Sequence, residues 1–409
     1  MLVTALTTVL SARPVQAQGV PKLSEEAQAS MLTILPGDAV YSEFGHSAIR
    51  IYDSARGIDV LYSYGTFDFS DPMFVPKFTY GQLDYFLSTQ PYAPMVDAYE
   101  RMGRPVIEQH LNLTPRQVQQ LYRFLYINAR PENRGYRYDF LFDNCSTRVR
   151  DALENALGSA VSFSGSPDPQ KSFRHLLDPY VADRPLTDVG FDVGLGLPSD
   201  QVASSREVMF LPEYLFWAFE NATIRRDTST RETKPLVART DTLFWVDGYD
   251  ARESTFPWPL ILTWLLAAVG AVFTVRRLRP PLEDAPPRLW DAILFGIAGA
   301  TGLIISFLWF ISEHVVTNTN LNLLWAWPTH LIFAAQLMRH PLSEAGNRWI
   351  SRYLLASGVV TGVLVAGWFF WPQSLHRAIF PIALLLTLRS TTLWFETMYA
   401  PESKLENAQ

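Results

Sequence analysis

Tyr-Asp-Phe-Leu-Phe-Asp-Asn-Cys-Ser-Thr-Arg (138–148) is the stretch whose reading decides the fold, because it holds Cys145, the single cysteine of the 409-residue chain. After it, Val149, Ala152, Leu153, Ala156 and Leu157 recur at helical spacing and Gly158 supplies a stop, so a short amphipathic helix is expected. Asp143 or Asn144 suits the N-cap, which places the sulfur in the first turn. There the unpaired backbone N–H groups and the helix dipole favour a thiolate over a thiol. With no second cysteine, an intramolecular disulfide is excluded. A free cysteine is commonly inert core filler. Here the polar neighbours, the helix start and a histidine in a suitable context point instead to a nucleophile.

That histidine lies in Phe44-Gly45-His46-Ser47-Ala48-Ile49-Arg50-Ile51, at the mouth of a predicted strand. A thiol nucleophile needs a base to deprotonate it and later to protonate a leaving group. His110 and His175 are the other candidates before the apolar tail, and neither has a comparable glycine–histidine–strand setting. A third group should orient the imidazole. Tyr64 ranks first, because it ends the strand expected beside His46; Asp68 follows, then Glu43. Arg50 and Arg148 are candidates for anionic headgroups, with structural ion pairs as the alternative, and Asn144 joins them beside the sulfur. No metal-ligand spacing such as His-Glu-x-x-His occurs, so no metal or other cofactor is expected.

The 34 basic and 40 acidic residues nearly cancel, and a net charge of −6 excludes an electrostatic case for nucleic acid. Apolar residues are unevenly spread. Segments at 257–275, 289–311, 322–338, 353–371 and 375–393 each approach the ~20 residues needed to cross a bilayer, although the third and fifth are marginal. Five crossings are expected, with four as the alternative. Arg276, Arg277, Arg279 and Arg288 flank the first connection, and Arg339, Arg348 and Arg352 flank the third, so both face the cytoplasm. The polar part then lies outside. The run Leu2–Leu10 followed by Val15-Gln16-Ala17 reads as a signal segment cleaved after Ala17 and agrees with that orientation. The outward loop carries His314, Asn318, Asn320 and Asn322, read either as helix caps or as contacts to a lipid headgroup or substrate.

The expected organisation is a signal segment (1–17), an extracytoplasmic α+β domain (18–255), a helical membrane region (256–395) and a cytoplasmic tail (396–409). Within the second, Ala48–Tyr52 and Val60–Tyr64 read as strands around Asp53–Gly57. Thr114-Pro115-Arg116-Gln117 is a helix start with a capping box. A helix is expected at 210–221, and 222–255 reads as a polar tether.

Glu-Phe-Gly-His-Ser-Ala-Ile-Arg-Ile (43–51), Tyr-Gly-Thr-Phe-Asp-Phe (64–69), Lys-Phe-Thr-Tyr-Gly-Gln-Leu-Asp-Tyr (77–85), Tyr-Arg-Tyr-Asp-Phe-Leu-Phe-Asp-Asn-Cys-Ser-Thr-Arg (136–148) and Met-Phe-Leu-Pro-Glu-Tyr-Leu (209–215) resemble the Lnb-type lipoprotein N-acyltransferases. The resemblance implies a domain similar to permuted NlpC/P60-like papain folds, with Cys145 and His46 as the catalytic pair. It implies transfer of an acyl chain from a membrane phospholipid, through a Cys145 thioester, to the α-amine of the N-terminal cysteine of a diacylated lipoprotein. The setting it implies is a bacterial inner (cytoplasmic) membrane, with the catalytic domain on the periplasmic side. Two other classes fit the same residues: a membrane-anchored cysteine hydrolase (phospholipase or cell-wall amidase/endopeptidase), and a non-catalytic receptor or assembly factor.

Overall fold

The computed structural model describes residues 19–68, 70–82, 84–164, 170–226, 232–249, 256–278, 288–339 and 348–399. The expected signal segment and most of the expected cytoplasmic tail lie outside them. Strands β1 (Gln28–Ile34), β2 (His46–Asp53) and β3 (Ile58–Thr66) open the chain, followed by α1 (Phe74–Tyr80), β4 (Asp84–Pro91), α2 (Tyr92–Arg101) and β5 (Val106–Leu111). Then come α3 (Pro115–Asn128), β6 (Gly135–Arg137), α4 (Cys145–Leu157), β7 (Val161–Ser162), α5 (Phe173–Val181), α6 (Pro185–Gly194) and α7 (Pro212–Glu220). Strands β8 (Thr223–Arg225), β9 (Thr233–Pro235) and β10 (Val237–Phe244) close this part. It is an α+β domain on a seven-stranded sheet, ordered β10-β5-β1-β2-β3-β4-β6, with a small β7-β8-β9 sheet beside it.

Local sequence explains the elements that position the site. The β2–β3 turn closes because the Asp53 carboxylate accepts the Arg56 N–H and Gly57 takes φ +64°. Helix α3 starts on the Thr114/Gln117 capping box with Pro115 in its first turn, as predicted. One face of the sheet packs against α3, α4 and α7 through Ile49, Ile51, Tyr64, Leu121, Leu125, Val149 and Leu153. Val149 and Leu153 are fully buried, so each holds α4 on the sheet with about 1.5–3 kcal/mol of hydrophobic stabilisation. The stretch read as a polar tether is instead partly strand: β10 pairs with β5 from Val237↔Leu111 to Phe244↔Val106. Arg239, Thr240, Asp241 and Thr242 make it polar because it is the sheet edge, where charge blocks further pairing.

Among the described residues the membrane region has five helices: α8 (Trp258–Leu278), α9 (Leu289–Phe310), α10 (His330–Arg339), α11 (Arg348–Ala366) and α12 (Ile379–Tyr399). Four of them, α8, α9, α11 and α12, are long and apolar enough to cross a bilayer. The third expected segment differs. Its helical part is the ten-residue α10, only ~15 Å long. Pro328 stands just ahead of it, and the stretch before carries buried Asn322, Trp325 and Ala326. Non-helical backbone is tolerated at membrane depth where protein covers it. Inside the bundle, Arg389 of α12 donates to Asp291 of α9 at 2.7 and 2.9 Å and to Thr274 of α8 at 2.6 Å. A charge in a membrane core persists when paired in this way.

Backbone contacts interlock the two parts. The Gly196 N–H donates to Val316 O (2.9 Å) and the Leu197 N–H to Thr319 O (3.1 Å). A Cβ at Gly196 would stand 1.9 Å from Asn318 O, so only glycine allows this approach.

Candidate active site

Cys145 is the first residue of α4, and Asn144 is the N-cap. The Asn144 Oδ1 accepts the Ser146 and Thr147 N–H groups (2.9 and 3.0 Å), and Thr147 Oγ1 accepts the Asn144 N–H (2.7 Å). The Asn144 Nδ2 donates to Phe140 O and Phe210 O, both at 2.8 Å, which fixes the loop before the cysteine. Its role as a cap occupies the whole amide. Burial pushes the Cys145 thiol above its usual range, and the N–H groups of Ser47, Cys145 and Ser146 oppose that shift only in part. The helix start therefore does not yield a resting thiolate, as the sequence had suggested. Desolvation outweighs the dipole.

His46 opens β2, the strand whose next residue, Ser47, turns its N–H to the sulfur. Ser47 Oγ lies 3.1 Å from Ser146 Oγ, joining the strand mouth to the helix start. Gly45 precedes with φ +80°, and a Cβ there would stand 2.8 Å from Ile34 O. Removal from water and, to a lesser extent, the buried Arg104 guanidinium lower the His46 pKa to about 3. The resting pair is thus a neutral thiol and a neutral imidazole, facing one cleft of about 490 Å³.

The group that holds the imidazole is Ser63: His46 Nε2 and Ser63 Oγ are 2.7 Å apart. Tyr64, ranked first from sequence, is one residue on and points to the opposite face of the sheet. It is buried in the core and donates to Asn128 Oδ1 at 2.6 Å. Asp68 is exposed and accepts from Ser70 N (2.8 Å) and Ser70 Oγ (2.6 Å), closing a turn. Neither lines the cleft. Gly65, which does, has φ +84°; a Cβ there would stand 3.4 Å from Cys145 Cβ and 4.0 Å from the Tyr136 hydroxyl.

Most of the charged candidates are structural. Glu43 is buried against Arg184. Arg50 binds Asp59 (2.7 and 2.9 Å) and Glu108 (3.0 Å), and lies 3.3 Å above the Tyr92 ring. Arg148 pairs with Asp143 and covers the Tyr136 ring at 4.2 Å. His110 contacts Asp241 (3.0 Å) and His175 contacts Ser172 (2.8 Å), both outside the cleft. Of the outward loop, His314 lines the cleft and its Nε2 donates to Phe78 O at 2.9 Å. Asn320 is buried and donates to Val193 O (2.8 Å) and Gly194 O (3.1 Å), so it caps the end of α6. Asn318 meets Gly196 through its backbone carbonyl. Asp188, Asp192 and His376 lie close together, but they are already engaged. Asp192 accepts from Arg174 at 2.7 Å, while His376 uses Nε2 on Asp188 (3.2 Å) and Nδ1 on the Ala378 N–H (3.1 Å).

The cleft walls are aromatic: Phe67, Phe74, Phe78, Tyr138, Phe191 and Phe210 contribute, and residues 313–316 of the membrane region close one side. A second cavity of about 400 Å³, between α6 and helices α8, α9 and α12, shares no lining residue with it and holds no titratable group. The candidates Cys145 and His46 both line the first. Sequence reading missed Ser63, Arg104 and the aromatic walls. Strand alternation with the correct register would have put Ser63 on the face of His46.

Residues 23–178 match the family model described as the Lnb N-terminal periplasmic domain, and residues 251–400 match the Lnb transmembrane domain. No curated protein and no solved structure is matched by the chain. With Cys145 and His46 inside the first match and the spanning helices inside the second, the chain belongs to the Lnb family of lipoprotein-modifying membrane proteins.

Proposed function

We propose that this protein is a thiol-dependent lipoprotein N-acyltransferase of a bacterial inner membrane, with its catalytic domain on the periplasmic side. The observation that carries the reading is that Cys145 and His46 line one aromatic cleft bordered by residues 313–316, just beyond a membrane helix. In this mechanism His46 Nε2 donates to Ser63 Oγ, 2.7 Å away, which leaves Nδ1 as the base. It takes the Cys145 proton as the sulfur attacks an ester carbonyl of a membrane phospholipid. The N–H groups of Ser47 and Cys145 stabilise the oxyanion. The C–O bond then breaks, and the His46 imidazolium protonates the departing lysophospholipid. In the second half, the α-amine of the N-terminal cysteine of a diacylated lipoprotein attacks the thioester. Its proton passes to His46, the C–S bond breaks, and Cys145 recovers the proton. The apolar walls favour an acceptor that arrives with its own lipid over bulk water, which distinguishes this reading from a hydrolase.

The test is mass spectrometry of a diacylated lipoprotein incubated with the full-length protein in phospholipid vesicles. Wild type is expected to add one acyl chain at the terminal amine and Cys145→Ala none. Unchanged product from Cys145→Ala would refute the proposal.

A further inference from the structure

Helix α1 (Phe74–Tyr80) has no buried residue. Phe74 and Phe78 line the Cys145 cleft. On the outside, Val75 is 68% exposed and Met73, just before the helix, 53%. Its one charge, Lys77, is matched by Asp71 at 2.7 Å. Water is a poor setting for such a surface.

The position of α1 supplies another. The Glu313 N–H donates to Tyr80 O (2.7 Å), His314 Nε2 donates to Phe78 O (2.9 Å), and Arg137 Nη2 donates to Glu313 (2.6 Å). Glycine at 81, with φ +90°, permits the approach, since a Cβ there would stand 3.0 Å from His314 N. Glu313 and His314 follow directly on α9, which spans the membrane and ends at Phe310. Phe310, Ile311 and Val315 are exposed as well, so the apolar surface of α1 stands beside the exposed apolar end of that helix, across the half-exposed Arg137–Glu313 pair.

We propose that α1 is a lip seated in the outer leaflet, forming the rim over which a phospholipid acyl chain passes from the bilayer to Cys145. Met73 and Val75 enter the leaflet, and Phe78 and Phe74 lead inward. Short amphipathic helices with aromatic residues seat at this depth of a bilayer. The route rests on the function proposed above, whereas the depth of α1 does not.

Because Cys145 is the only cysteine, a Cys145→Ser chain with Val75→Cys carries one environment-sensitive fluorophore. The full-length protein is reconstituted in phosphatidylethanolamine–phosphatidylglycerol vesicles, with Arg116→Cys at the exposed start of α3 as the reference and Met73→Cys as a second probe of the lip. Val75 and Met73 labels are expected to lose their emission to phospholipids bearing a nitroxide on the acyl chain and to resist aqueous iodide; Arg116 should do the reverse. Lip labels quenched like Arg116 would overturn the proposal, even if the unlabelled wild-type protein transfers an acyl chain. Lip labels in the leaflet, with no acyl transfer from vesicle lipid by the unlabelled wild-type protein, would overturn the function and keep the lip.

Discussion

The two walls of the Cys145 cleft are built in different ways. On the sheet side, the groups around the sulfur are set by neighbours in sequence or in the β2–β3 hairpin: the Asn144 cap, the Ser47 N–H and the Ser63 hydroxyl. On the bilayer side, the wall is assembled from α1, α6 and the loop after α9, with partners as distant as Gln82 and Glu313, 231 residues apart. In the proposed mechanism the first wall carries the proton chemistry, and the second decides what reaches it. Damage to the sheet-side wall should therefore appear in kcat, and damage to the bilayer-side wall in KM or stability.

Ser63→Ala gives the largest effect among the supporting residues. Loss of the Nε2 partner leaves the His46 ring free to turn, and kcat is expected to fall about tenfold to a hundredfold, equivalent to a hydrogen bond of about 1–3 kcal/mol. KM should hold and Ser63→Thr should recover part of the loss, which a merely structural serine would not require. On the other wall, Asn320→Ala strips the partners from the Val193 and Gly194 carbonyls. A stability loss of about 1–3 kcal/mol by thermal unfolding in detergent is expected, with KM raised more than kcat is lowered. The smallest effect belongs to Tyr64→Phe, which forfeits the Asn128 bond. It should cost about 1 kcal/mol of stability and leave kcat alone; a kcat loss matching that of Ser63→Ala would reverse the assignment of the orienting group.

The sheet-side wall was largely legible in the sequence because its signals are local. A capping residue, a helical apolar stripe and a glycine stop lie within the 15 residues of α4 and its caps, and the β2–β3 turn declares itself through Asp53 and Gly57. Ser63 was missed by one position. The β3–β4 pairing shifts register between Ser63 and Thr66, with Gly65 at positive φ between them, and a one-residue difference exchanges the faces of a strand. The bilayer-side wall left no comparable signal. Asn320 reads as an ordinary polar loop residue until α6, which is distant in sequence, brings its terminal carbonyls alongside. Likewise β10 looks like a tether because an edge strand needs polar residues on both faces. The single membrane segment that departs from expectation, 322–338, does so at Pro328, where helix and non-helix are decided by what the bundle covers.

The most direct test is the acyl adduct on Cys145 itself, followed by intact-protein mass spectrometry with a phospholipid donor, without acceptor, across pH. His46 is held neutral down to about pH 3, whereas an ordinary histidine protonates near 6.5. The base form therefore persists throughout the interval between those values. Over the same interval, the unfolded chain takes up a proton that the folded domain refuses, so stability declines as pH falls. A hydroxylamine-labile acyl group on Cys145 is expected, forming at pH 5 as readily as at pH 7 and failing only toward pH 3. An adduct that disappears near pH 6.5 would place His46 in water. Absence of any adduct at every pH, with acyl transfer persisting in Cys145→Ala, would contradict the assignment of Cys145 as the nucleophile.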